Sequence, residues 1–269
     1  MNSRPRADIL RSLIAAGRRL DDLGLVPARD GNLSARVSDR TLLVTVTGVR
    51  KRDLDPDAFV EVDLQGNPIR AARPGGSLGR ASTELGLHLA VYRRRPDVEA
   101  VVHAHPPVAV GFATAGLGLT ECLMPEAAVH LGSVPLTPYA TPGTPELEAA
   151  VTDTVPGHDA FLLANHGAVT VGASVDQALE RMETLEHLAR IALVARLLGG
   201  AQPLTAEAVE DIAVLRARSG NPRPVTCTPA GAPPSPASLL GCPETRIVDV
   251  VARVVRDVLA QPRQDRNRS

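Results

Sequence analysis

The run Val98-Glu99-Ala100-Val101-Val102, ending in His103-Ala104-His105-Pro106-Pro107, restricts the possible folds of this chain more than any other segment. It is short, apolar and β-branched, which favours a buried strand over a helix. Side chains two apart on a strand point to the same face, so His103 and His105 can reach one cation without backbone distortion. Helical and extended patterns alternate around it, and an α/β core is therefore expected. Ile9, Leu10, Leu13, Ile14, Leu20 and Leu23 recur at helical spacing over residues 5 to 23, with Gly24 as the stop. Asp30-Gly31-Asn32-Leu33-Ser34 reads as a turn entering a strand, and 41–47 and 59–63 read as further strands. A helix is expected from Ser82-Thr83-Glu84 to about Arg94, another from Thr144-Pro145-Glu146, and a long one from Asp176 to Leu198 that closes the compact region at Gly199-Gly200.

Two histidines do not complete a catalytic metal site, which usually takes three protein ligands. His166 is the best third candidate, because it lies between the apolar runs 160–164 and 168–171 with Gly167 allowing close backbone approach. Glu84 is a carboxylate candidate at a helix start. Glu183 and His187 form a rival pair at i, i+4, but their segment alternates in charge and reads as a structural helix face. Zinc suits such a donor set best, and manganese, iron or cobalt are compatible with it. A divalent ion on adjacent oxygens of a ketose would stabilise an enediolate, with Glu84 moving the proton. Gly31-Asn32, Thr47-Gly48 and Ser82-Thr83 are small polar segments suited to an anionic group, the last through amides at a helix start.

Charge narrows the partners. The 29 basic and 30 acidic residues nearly cancel, and the chain has no Trp, two Tyr and three Phe, so neither nucleic acid nor a membrane is an expected partner. Cys122, Cys227 and Cys242 are odd in number and widely spaced, which indicates no disulfide framework and fits a reducing cytoplasm. No export signal and no apolar run of membrane-spanning length is read in the sequence.

Taken in order, Gly31-Asn32-Leu33-Ser34, Thr47-Gly48, Ser82-Thr83-Glu84, His103-Ala104-His105, Pro138-Tyr139-Ala140-Thr141 and Asn165-His166-Gly167 resemble the class II aldolase/adducin family, nearest its fuculose-phosphate aldolase and ribulose-phosphate 4-epimerase branch. The resemblance covers roughly residues 8 to 200. It implies a three-layer α/β/α sandwich around a central, mainly antiparallel sheet, assembled as a homotetramer. It also implies zinc on His103, His105 and His166, Glu84 as ligand and acid/base, and substrate phosphate at Gly31, Asn32, Thr47, Gly48, Ser82 and Thr83. The expected reaction is cleavage of a phosphorylated ketose of the fuculose 1-phosphate type to dihydroxyacetone phosphate and a short aldehyde such as lactaldehyde. A 4-epimerase, a sugar-acid phosphate decarboxylase and a non-catalytic adducin-like module are the alternatives. The branch's aldolases use tyrosines on the aldehyde side, where this chain has Leu123-Met124-Pro125-Glu126; its only tyrosines are Tyr92 and Tyr139.

The expected domain spans residues 1–215. A Pro-rich linker over 216–245, an amphipathic helix over 246–260 and a polar tail over 261–269 follow. A tethered terminal helix of this kind resembles the encapsulation peptides of bacterial microcompartment cargo, and a helix docked on its own tetramer is the other expectation.

Overall fold

The computed structural model describes residues 5–71 and 79–218, together with Val225 and Cys227. The expected first helix, α1 (Arg6–Asp22), buries Ile9, Leu10, Leu13, Ala16 and Leu20. Gly24 ends it in the left-handed conformation (φ 68°), which only glycine adopts without strain, and the chain turns back so that Leu25 is buried. Strands β1 (Asn32–Ser38), β2 (Thr41–Thr45), β3 (Phe59–Asp63) and β4 (Pro68–Ala71) form an antiparallel meander. Helix α2 (Leu85–Arg94) leads to β5 (Ala100–Ala104), and α3 (Pro107–Thr114), α4 (Pro125–His130), the short β6 (Leu136–Thr137) and α5 (Pro145–Thr154) follow. The hairpin of β7 (Ala160–Leu163) and β8 (Gly167–Gly172) then runs into α6 (Val175–Leu197) and α7 (Ala206–Arg218).

Among the described residues the eight strands make one sheet in the order β4-β3-β2-β1-β5-β8-β7-β6, antiparallel except at β6/β7. Alternation along each strand splits the core. Leu33, Leu43, Val102, Ala104 and Leu162 pack with α1, α3 and α6, whereas Val44, Val60, Val101, Phe161 and Val169 pack with α2 and α5. Each such fully buried Val, Leu or Phe side chain contributes about 1.5–3 kcal/mol. The expected three-layer α/β/α architecture is the observed one.

Four expectations need correction. Helix α2 begins at Leu85, because Ser82 is still in extended pairing through its amide to Thr45 O (3.0 Å), next to a Val46–Ala81 bridge. The compact region does not close at Gly199-Gly200: α7 packs on α4 and extends through residues 216–218 of the expected linker. Farther into that expected solvated linker, Val225 packs against the Cys122, Ala128 and Ile212 cluster. Finally, Cys122 and Cys227 form a disulfide across 105 residues of sequence, which removes the premise for inferring a reducing compartment from cysteine count. Sequence spacing could not find this pair, because only the return of the chain along α7 brings the two together. Cys242, the helix over 246–260 and the tail over 261–269, and with them the microcompartment expectation, lie outside the described residues. Among those residues no helix is long and apolar enough to cross a membrane.

Candidate metal centre

Strand β5 lies between β1 and β8, with His103 opposite Asn32 on one side and Val169 on the other. By the same alternation that sorts Val101 from Val102, His103 and His105 face the α2 layer, from whose N-terminus Glu84 projects. His166 arrives from the β7–β8 turn, where Asn165 takes a left-handed φ of 56°. Gly167 lets the turn sit against the other two histidines: a Cβ there would lie 2.8 Å from His103 Cε1 and 2.7 Å from His105 Cδ2.

The three histidines are brought together, with one ring nitrogen of each lying within 4.8 Å of the others. His105 Nε2 is 3.2 Å from His103 Nε2, His103 Nε2 is 3.3 Å from Glu84 Oε2, and His166 Nε2 is 3.1 Å from Glu84 Oε1. Donors about 2.0–2.1 Å from one tetrahedral ion stand roughly 3.3 Å apart, so these edges fit zinc or a similar divalent ion. The hydrogen-bond assignments agree. His103 Nδ1 donates to Ala168 O (3.0 Å) and His105 Nδ1 faces Asp30 Oδ2 (3.6 Å), which leaves both Nε2 lone pairs directed inward. Glu84 Oε1 is buried without a hydrogen-bond partner among the described residues, the state expected of an oxygen reserved for a cation. Burial, then His103 and His166, lower the His105 pKa to about 3, so its ring is neutral and able to ligate.

A buried polar chain that the sequence reading missed supports Glu84. Asn32 Nδ2 donates to Glu84 Oε2 (2.8 Å), so Asn32 Oδ1 accepts from His88 Nε2. His88 Nδ1 then accepts from Ser34 Oγ (2.6 Å), and Tyr92 OH donates to that same oxygen (2.9 Å). Each donor determines the tautomer or rotamer of the next. Burial lowers His88 to about 3 and raises Tyr92 above its ordinary value, so both stay neutral. The available signal was spacing: His88 and Tyr92 are i, i+4 on α2, as Asn32 and Ser34 are i, i+2 on β1.

The anion-site candidates lie at the same end of the sheet. Gly31 has a φ of 71° and packs against His103 O, and Asn32 follows it; its second amide hydrogen is not needed by Glu84. Thr47 donates its amide to Arg80 O (3.0 Å), Gly48 has a φ of 80°, and Ser82 Oγ accepts from Glu84 N (3.3 Å). Thr83 lies between Ser82 and Glu84 in the same turn. The amides of Thr47 and Ser82 are thus engaged in pairing, which corrects the expected helix-start amide at Ser82. Glu183 and His187 stand apart from the centre. Glu183 pairs with Arg19 (2.9 Å), and Glu183 and His187 line a cleft of about 650 Å³ with Leu25, Met124, His130 and Arg190.

Comparison with known proteins places this geometry. Residues 11–193 match the family described as Class II Aldolase and Adducin N-terminal domain. A 3-oxo-tetronate 4-phosphate decarboxylase of Pectobacterium atrosepticum is 31% identical over 68% of this chain and 82% of its own length. An L-fuculose phosphate aldolase of Methanocaldococcus jannaschii is 31% identical over 68% of this chain and 95% of its own length. The structure of a putative aldolase/epimerase/decarboxylase from Klebsiella pneumoniae superposes with a TM-score of 0.70 at 30% identity, covering 78% of this chain and 99% of that one. With the match spanning most of the chain and including Glu84 and all three histidines, this protein belongs to the class II aldolase and adducin N-terminal domain family.

Proposed function

We propose that this protein is a divalent-metal-dependent carbon–carbon lyase acting on a phosphorylated sugar or sugar acid. The observation that carries this reading is the set of 3.1–3.3 Å separations linking His103, His105, His166 and Glu84 around one point. A divalent ion held there supplies Lewis-acid polarisation of a substrate carbonyl and its neighbouring hydroxyl. His103, His105 and His166 hold the ion as neutral imidazoles. Glu84, held by Asn32, exchanges a proton with the carbon next to that carbonyl. Gly31, Asn32, Thr47, Gly48, Ser82 and Thr83 receive the phosphate, the hydroxyls and glycines serving where the Thr47 and Ser82 amides are engaged.

Decarboxylation of a 3-oxo sugar acid 4-phosphate is the reading we place first. Loss of carbon dioxide from such an acid and aldol cleavage of a ketose 1-phosphate both leave the enediolate of dihydroxyacetone phosphate. They differ in the departing fragment. Departing carbon dioxide needs no proton transfer, whereas an aldehyde departs only as a base takes its hydroxyl proton. Leu123-Met124-Pro125-Glu126 has no tyrosine to assist there, and the decarboxylase of Pectobacterium atrosepticum is among the relatives. Cleavage of a fuculose 1-phosphate-type ketose is the second reading, favoured by the similarity to the Methanocaldococcus jannaschii aldolase. The zinc-loaded protein, which we propose is a homotetramer, should be assayed with 3-oxo-tetronate 4-phosphate and with fuculose 1-phosphate. Carbon dioxide from the first supports decarboxylation, dihydroxyacetone phosphate and lactaldehyde from the second support the aldolase, and inertness toward a broad panel of phosphorylated sugars refutes both.

A further inference from the structure

Lys51 is the only lysine in the chain; every other basic residue among its 29 is arginine. It is also buried, at 2% exposure, and its ammonium donates to Arg29 O (3.1 Å) and Val49 O (3.0 Å). Those two carbonyls lie on the turns that carry Gly31-Asn32 and Thr47-Gly48. The other buried cations among the described residues, Arg95, Arg181 and Arg216, share the carboxylate of Asp159. Among the described residues Lys51 has no carboxylate in ion-pair contact, although Asp30, Glu84 and Asp21 act on it from farther off. A buried charge lacking a counter-ion is costly, and an ammonium has three hydrogens of which the carbonyls take two. A compact tetrahedral donor suits this position and a planar guanidinium does not, which gives a physical reason for lysine here in a chain that otherwise uses arginine.

We propose that Lys51 is the cationic member of the phosphate site: it holds the Arg29–Gly31 and Thr47–Val49 turns together and gives its third hydrogen to an oxygen of the substrate's phosphate. The inference rests on the phosphorylated-substrate reading above and adds to it a positioning and affinity residue. Because Lys51 is unique, lysine labelled with ¹³C and ¹⁵N reports on it alone in the full-length, zinc-loaded protein. Addition of inorganic phosphate should shift the Lys51 side-chain resonances saturably, with a dissociation constant matching phosphate inhibition of turnover. Resonances that stay still at inhibitory phosphate concentrations overturn the proposal. In Lys51→Met and Lys51→Arg, KM for the phosphorylated substrate should rise by about tenfold or more while kcat stays within about threefold. An equal rise for a dephosphorylated analogue would reduce Lys51 to a structural clamp and overturn the proposal. If neither variant folds, the labelling experiment on the natural protein still decides. Failure of the broader reading is separately visible, as turnover by the natural protein that is indifferent to the phosphate group.

Discussion

Replacing Gly167 with alanine tests the proposed metal centre without removing any of its candidate donors. An ideal Cβ at this position would sit 2.7 Å from His105 Cδ2, 2.8 Å from His103 Cε1 and 2.8 Å from Ala104 O. Ordinary carbon contacts are about 3.5–4.0 Å, so relief takes roughly 0.7–1.3 Å of movement at each ring. The backbone cannot give way, since Ala104 pairs with Ala168 and β5 is hydrogen-bonded on both sides. His103 is further tethered to Ala168 O. The rings must therefore leave their places. Overpacking of this kind costs about 1–3 kcal/mol of stability. Disturbed ligand orientation lowers metal affinity about 10- to 100-fold. Chelator competition with zinc measures the second quantity, and thermal melts with and without EDTA separate it from the first. Gly111→Ala on α3, with nothing within 4 Å of its Cβ, is the control and should stabilise by up to about 1 kcal/mol. Wild-type zinc affinity in Gly167→Ala would refute the geometry on which the proposed chemistry depends.

Glu84→Gln should keep substrate KM within about threefold and cut kcat by roughly 10²–10⁴, as loss of a proton-transfer group does; unchanged turnover in steady-state assays rules out its role. Asp159→Asn leaves three buried guanidinium groups, those of Arg95, Arg181 and Arg216, without their shared carboxylate. Urea unfolding should show a loss of about 3–5 kcal/mol, and a loss below about 1 kcal/mol would contradict the assignment. His88 is held near 3 by burial, below its ordinary 6.5, so the unfolded chain takes up the proton first as pH falls. The stabilisation from this group is complete above pH 6.5 and is lost as pH falls toward 3, on the order of 3 kcal/mol by pH 4. His88→Gln should flatten that part of the stability–pH curve, and parallel curves for variant and parent would show that another group is responsible.

Much of the candidate site was legible because its signals are local. The i, i+2 spacing on β5 predicts that His103 and His105 share a face, and the small residue after His166 predicts a tight approach. The chain His88–Ser34–Tyr92 had only spacing within each element as a signal, and nothing in the sequence joins the two elements. Each member is an ordinary residue in its own segment, and a role appears only when β1 and α2 lie side by side. Lys51 had a compositional signal, its uniqueness, but no spacing that ties it to Arg29 or Val49. Asp159 gave no signal, because its three arginines come from residues 95, 181 and 216 and meet only in the assembled core.

Periodicity and the order of short motifs therefore determined the layers, the strand that bears His103 and His105 and the four candidate donors, since alternation and turn chemistry act over a few residues. Packing alone decided the helix beyond Gly200, the pairing of Cys122 with Cys227, the orientation of Glu84 through Asn32, and the burial of a single ammonium between two turns. Those features depend on which surfaces exclude water together, and that is a property of the assembled sheet and its two helical layers, not of any one segment.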